Sequence, residues 1–281
     1  PKTLYWYAVG ALNKNNIPDI VFALSGTENG YTNVVAEILI LFDFYTTHII
    51  NPQLFFPEAN TEIYLLIWDI DCDGQGDIIL GSSFYQEICI ILNSGVRIIK
   101  KFHGRDILVH FLDKVYVIDV SGDLFPDIIL SEHGPEGIRF INGTYLSKNH
   151  SIYSTKMTNK IDPPIIIDDI DNDGIYEVLV GSADTKLYCL FANNGSEKWN
   201  FSTGGWVEPQ VCIGDVDSDG DTEAIFGSDD EYIYCVNSSG GLEWKTFIGQ
   251  PPRGASMFDV NNDGITEIFI GGQGGIRYCL S

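Results

Sequence analysis

The sequence predicts an all-β fold, a six-bladed β-propeller of four-stranded antiparallel blades, with seven blades as the alternative count. Three observations predict it. An acidic loop followed by an apolar strand returns along the whole chain, with first positions at 11, 69, 119, 169, 215 and 259. Between these loops lie short apolar and aromatic runs separated by Gly, Asn and Ser turns. No window of comparable length carries apolar residues at helical spacing with caps at its ends.

Taken in order, Thr3–Val9 reads as a first strand leading into a degenerate loop, with Ala11 at its first position followed by Asn13, Asn15 and Asp19. The period from 207 to 250 shows the full unit. Val211–Gly214 enters the loop, Glu223–Phe226 leaves it, Tyr232–Val236 follows, and Leu242–Ile248 closes the blade after the Asn237–Gly241 turn. Runs such as Asp77–Leu80, Val178–Val180 and Ile268–Ile270 are apolar without alternation, which suits strands covered on both faces. The last period has no counterpart of Leu242–Ile248, so the final blade is expected to be incomplete. Its open edge along Ile276–Leu280 would invite pairing with a second copy or with further sequence.

The loops carry the chemistry. Oxygen-bearing side chains at positions 1, 3, 5 and 9, with a backbone carbonyl at position 7, can converge on one point. Glycine at position 6 permits the turn. Such a shell suits a hard cation with six to eight oxygen ligands, which is Ca²⁺. The predicted ligands are Asp69, Asp71, Asp73, Gln75 and Asp77, then Asp169, Asp171, Asp173, Ile175 and Glu177. They continue with Asp215, Asp217, Asp219, Asp221 and Glu223, and with Asp259, Asn261, Asp263, Ile265 and Glu267. A weaker copy holds Asp119, Ser121, Asp123 and Asp127, with Leu124 where glycine is wanted. Four to five structural calcium ions are therefore expected. These are not EF-hands, because Val180 stands where the twelfth-position Glu would be.

The 281-residue chain is long enough for one large repeat domain, 1–281, and its net charge of −23 is concentrated in the loops. Acidity of this kind argues against nucleic acid as a partner, and no apolar run reaches the ~18 residues of a membrane span. Five sequons, at Asn142, Asn149, Asn194, Asn200 and Asn237, together with calcium loops, point to an extracellular or cell-surface setting. Cys89, Cys189, Cys235 and Cys279 each follow their closing carboxylate by twelve residues. Equivalent positions in different blades lie too far apart to bridge, so these are read as packed thiols. Trp199 and Trp244 recur at equivalent sites and read as packing residues, whereas Trp206, beside Gly204 and Gly205, is a candidate exposed contact.

The loops and the Gly-Ser pairs after them (Gly81-Ser82, Gly181-Ser182, Gly227-Ser228) resemble the FG-GAP repeats of integrin α-subunit propellers. The runs Leu187–Leu190 with Glu197–Trp199, and Tyr232–Val236 with Glu243–Trp244, are similar to quinoprotein-like propeller repeats. Together these resemblances cover most of residues 60–281. The first implies structural calcium away from the partner-binding face. The catalytic Asp and quinone site of quinoprotein dehydrogenases have no counterpart here.

No nucleophile, P-loop, HExxH or acid–base pattern assembles outside the loops. The expected function is a calcium-stabilised adhesion, carbohydrate- or protein-binding, or surface structural module, its partner a protein or glycan of the cell surface or matrix. The alternative is a carbohydrate-active enzyme resembling a polysaccharide lyase.

Overall fold

The computed structural model describes residues 3–12, 19–28, 31–42, 46–50, 63–82, 87–92, 97–101, 111–133, 137–142, 152–155, 161, 164–217, 219–261, 266–273, 275 and 277–280. Every regular element among them is a strand. Four successive strands make the first sheet: β1 (Thr3–Gly10), β2 (Asp19–Glu28), β3 (Tyr31–Phe42) and β4 (Thr46–Ile50). The second contains β5 (Ile63–Trp68), β6 (Asp77–Ser82), β7 (Glu87–Ile91) and β8 (Arg97–Lys101). The third contains β9 (Phe111–Ile118), β10 (Asp127–His133), β11 (Ile138–Ile141) and β12 (Ile152–Thr155). The fourth contains β13 (Ile166–Asp168), β14 (Glu177–Gly181), β15 (Lys186–Phe191) and β16 (Glu197–Ser202), and the fifth β17 (Cys212–Gly214), β18 (Glu223–Gly227), β19 (Tyr232–Val236) and β20 (Leu242–Phe247). The last, β21 (Pro252–Phe258), β22 (Glu267–Gly272) and β23 (Arg277–Leu280), has three strands. Within each sheet the strands pair in chain order, and the chain divides into two compact units, 1–129 with 141–151 and 130–140 with 152–281.

Burial across a sheet follows from the composition of its strands. β14 and β18 are buried at every position, so their unbroken apolar runs are covered on both faces. The fourth strands β16 and β20 alternate between exposed and half-buried positions, as strands with one wet face do. In the second unit, Leu179, Leu187 and Cys189 of one sheet pack with Phe226, Tyr234 and Val236 of the next. The opposite face of that next sheet sends Ile225, Ile233 and Cys235 against Ile268 and Ile270. β18 therefore serves two cores at once, because its side chains alternate between faces.

The Gly-Ser pairs have a physical reason. A Cβ on Gly181 would lie 2.7 Å from the Val207 carbonyl oxygen, and one on Gly227 would lie 2.5 Å from Pro252 Cβ. The segment connecting one sheet to the next crosses there: Val207 N–H donates to Ser182 O at 3.2 Å and Glu208 N–H to Gly227 O at 3.0 Å. Trp199 packs against the Gly240 turn and donates its indole N–H to Ser238 O at 2.8 Å. Trp206 is half-buried, and its carbonyl accepts from Asp229 N–H at 2.8 Å.

All six thiols are free. Cys89, Cys189 and Cys235 are buried on third strands, whereas Cys279 is exposed. Burial pushes the thiols of Cys212 and Cys235 up to about 12, which makes them inert packing groups.

Candidate metal centres

Each loop is built around its own carboxylates. The acid at position 9 points inward and accepts the N–H of position 2, from Leu12 to Asp19 (2.8 Å), Ile70 to Asp77 (2.9 Å), Val120 to Asp127 (3.1 Å), Ile170 to Glu177 (3.2 Å), Val216 to Glu223 (3.0 Å) and Val260 to Glu267 (2.9 Å). All six of these acids are buried. The Asp at position 1 reaches across to the position-6 amide, from Gly74 to Asp69 and from Gly174 to Asp169 at 2.9 Å, and from Gly220 to Asp215 at 3.1 Å. Asp73, Asp173 and Asp219 accept the N–H of position 7 in Asx turns. The carboxylates thus shape the turn while keeping spare lone pairs.

In three loops the acids also converge. Oxygens of Asp69, Asp71 and Asp77 lie within 4.8 Å of one another, as do those of Asp169, Asp171 and Glu177, and of Asp215, Asp217 and Glu223. These are positions 1, 3 and 9 of the pattern; the position-5 acids stand beside the groups, each with one oxygen committed to its own turn. Unscreened oxygens at that separation repel, and a divalent cation would offset the repulsion. Burial raises the Glu223 carboxyl above its ordinary range, and Asp217, Asp219 and Asp215 add to the rise, with only the Val216 amide opposing it. The donor set of the Asp69 and Asp215 loops, all hard oxygen, fits Ca²⁺.

The Asp169 loop differs. Lys198 Nζ donates to Asp171 Oδ2 at 2.5 Å and to Glu177 Oε1 at 3.0 Å. Burial raises the Glu177 carboxyl, and the Lys198 hydrogen bond opposes the rise. For Lys198, burial pulls the ammonium down, but its bonds to Asp171 and Glu177 outweigh that and leave it raised. Lys198 was not among the sequence-based ligands, and only the strand register reveals it. Cys189 pairs with Trp199 and Leu190 with Glu197, so Lys198 is the extra residue of a β-bulge.

The remaining loops are less complete. Among the described residues, Asp119, Asp123 and Asp127 do not form a convergent group; Asn142 Nδ2 donates to Ser121 Oγ at 3.2 Å and to Asp123 Oδ2 at 3.3 Å. Leu124 sits at the glycine position with φ of 72° and its side chain 83% exposed. That left-handed backbone costs a β-carbon residue about 1–2 kcal/mol. Leu124→Gly is therefore expected to stabilise the protein by about 1 kcal/mol after the glycine's unfolded-state entropy is counted. A urea midpoint that falls on substitution would contradict this. In the last loop Asn261 Nδ2 donates to Glu267 Oε1 at 3.0 Å, while Asp263 and Ile265 lie outside the described residues, as do Asn13, Asn15 and Asn149. Of the sequons, Asn194 and Asn200 are exposed, and Asn142 and Asn237 are half-buried with their amides engaged.

A second feature is an aromatic face on the β19–β20 hairpin. Tyr232 pairs with Phe247 and Tyr234 with Lys245, so the four side chains share one face. The Tyr232 and Phe247 rings lie 5.2 Å apart, and Lys245 Nζ sits 4.7 Å from the Tyr232 centroid and 5.7 Å from that of Tyr234. Phe247 is 60% exposed, and among the described residues Lys245 makes no ion pair.

A family model for the lambda-carrageenase beta-propeller domain matches residues 143–212. No curated protein matches the chain. Among solved structures, a rhamnogalacturonan lyase from Bacillus licheniformis aligns with TM-score 0.59 and 14% identity, over 99% of this chain and 57% of that one. BamB from Moraxella catarrhalis aligns with TM-score 0.43 and 11% identity, over 96% of this chain and 81% of that one. The WD40 beta propeller domain of Doa1 gives 0.45 and 12%, over 94% and 74%. The chain thus spans little more than half of the lyase. No helix among the described residues is long and apolar enough to cross a membrane. With antiparallel sheets whose strands pair in chain order, the chain is an all-β protein of the propeller fold.

Proposed function

We propose that this protein is a calcium-stabilised propeller of the extracellular or cell-surface space that binds carbohydrate. The observation that carries the calcium is the convergence of Asp69, Asp71 and Asp77, and of Asp215, Asp217 and Glu223, each within 4.8 Å. FG-GAP-like loops of this design would hold the ion as a fold element, leaving partner binding to another surface. The aromatic face offers that surface: sugar C–H groups stack on Tyr232 and Phe247, and Lys245 meets an acidic substituent. The match to a carrageenase propeller domain supports a polysaccharide as the ligand class, and it also keeps a second reading in view, lyase-like turnover on this scaffold.

Binding to an array of acidic and neutral oligosaccharides, scored beside release of unsaturated product, separates the two. The expected result is calcium-dependent retention of acidic glycans without product. Lys245→Gln and Phe247→Ala are each expected to weaken retention about tenfold, equivalent to ~1.4 kcal/mol. Product formation that survives purification would favour the enzyme; no glycan retained at all would remove the carbohydrate reading.

A further inference from the structure

We infer that Lys198 is a built-in cation of the Asp169 loop, so that this loop binds calcium more weakly than the Asp215 loop. The inference rests on the calcium reading above and concerns how the chain's own residues divide that role.

Its basis is a comparison of equivalent positions. The Asp169 and Asp215 loops present the same carboxylate pattern, and in each the ligand oxygens lie within 4.8 Å of one another. What differs is the fourth strand of each sheet. In β15–β16 the bulge places Lys198 beside Trp199, and the ammonium lies between Asp171 Oδ2 and Glu177 Oε1, at 2.5 and 3.0 Å. In β19–β20 the same bulge falls between Cys235 and Val236, and the extra residue is Glu243, whose Oε1 accepts from Asn237 Nδ2 at 2.6 Å. Of these two loops, the Asp169 loop therefore has a positive charge bound to two of its three convergent acids, whereas the Asp215 loop has a carboxylate at the same bulge position.

The contact is well set. The Lys198 side chain is 15% exposed and that of Glu177 0%, so the pair is shielded from salt and water. Lys198 Nζ also lies 5.3 Å from the Phe191 ring centroid, a cation–π contact. An ion entering this loop must displace two charge-assisted hydrogen bonds and then share the site with a displaced cation. Loops of this class tune affinity through net ligand charge, and one added positive charge works against a divalent ion. In exchange, the Asp169 turn keeps its shape without metal.

The test is a calcium titration of the full chain by calorimetry, starting from chelator-treated protein. Wild type is compared with Lys198→Gln, Lys198→Arg and Asp217→Asn. The inference expects Lys198→Gln to tighten a weak site about tenfold or more, or to add one site to the tight set. Lys198→Arg, which keeps the charge, should titrate like wild type. Asp217→Asn should lose a tight site from the wild-type isotherm. Wild-type binding with a Lys198→Gln isotherm unchanged in affinity and stoichiometry overturns the inference and leaves the calcium reading standing. An isotherm without heat or stoichiometry for every protein overturns both. Circular dichroism of each variant in chelator confirms that the comparison is between folded proteins; should Lys198→Gln unfold there, Lys198→Met in calcium-containing buffer carries the same comparison.

Discussion

Adding excess chelator is expected to lower the unfolding midpoint of this protein by about 10–20 °C. A ligand that binds only the folded state at a hundred times its Kd stabilises it by ~2.7 kcal/mol, so two filled loops give roughly 5 kcal/mol. Each kcal/mol corresponds to roughly 2–4 °C in a chain of this size class. The two loops expected to supply it are those of Asp69 and Asp215, where buried Asp77 and Glu223 each converge with two further acids. Calcium added back should restore the midpoint. Zn²⁺ should restore little of it, because the shells offer neither sulfur nor imidazole. A midpoint indifferent to chelator would remove structural calcium from the account. The metal-free protein should also gain stability on mild acidification. Glu223 has a folded-state pKa raised by burial, so folding takes up a proton as the pH falls through that value, and the strain of the uncompensated acids is relieved.

The second large effect is expected in the core of the second unit. Phe226 is fully buried on β18, with its ring stacked on Tyr234 at 5.5 Å and edge-on to Phe201 at 6.0 Å. Tyr234 is held in turn by its hydroxyl, which donates to Asp230 Oδ2 at 2.7 Å, so the ring cannot swing into a vacated space without breaking that bond. Phe226→Ala should therefore leave a cavity and cost about 3–5 kcal/mol, with Phe226→Leu recovering most of it. Urea unfolding of the calcium-loaded protein measures both. A loss below about 1 kcal/mol for the alanine variant would mean that the ladder of rings does not set the packing of these two sheets.

The features legible in the sequence are those where one residue type answers one local demand. The loops are legible because glycine at Gly74, Gly174 and Gly220 takes φ of 85°, 88° and 95°, which few side chains tolerate. The Gly-Ser pairs are legible for a related reason, the close crossing of a connection over Gly181 and Gly227. Lys198 was not legible: it is itself the bulged residue of β16, and nothing in Glu197-Lys198-Trp199 alone says which residue is the extra one. The aromatic face escaped for the same reason, since Tyr232 and Phe247 meet only through the hairpin register.

The buried acid that closes each loop gives the chain an unusual tolerance. Asp19 holds Leu12 N–H in a loop whose first position is Ala11, just as Glu223 holds Val216 N–H in a fully acidic one. Folding the turn and recruiting an ion are thus separable jobs, assigned to different positions of the same short segment. A repeat can shed its ion-recruiting acids and remain a competent corner between strands, provided the inward carboxylate stays. Changes at Asp71 or Asp217 should then alter cation demand one repeat at a time, whereas changes at Asp77 or Glu223 should damage the corner itself. A designer could use that separation to set how many ions the scaffold requires without redrawing its backbone.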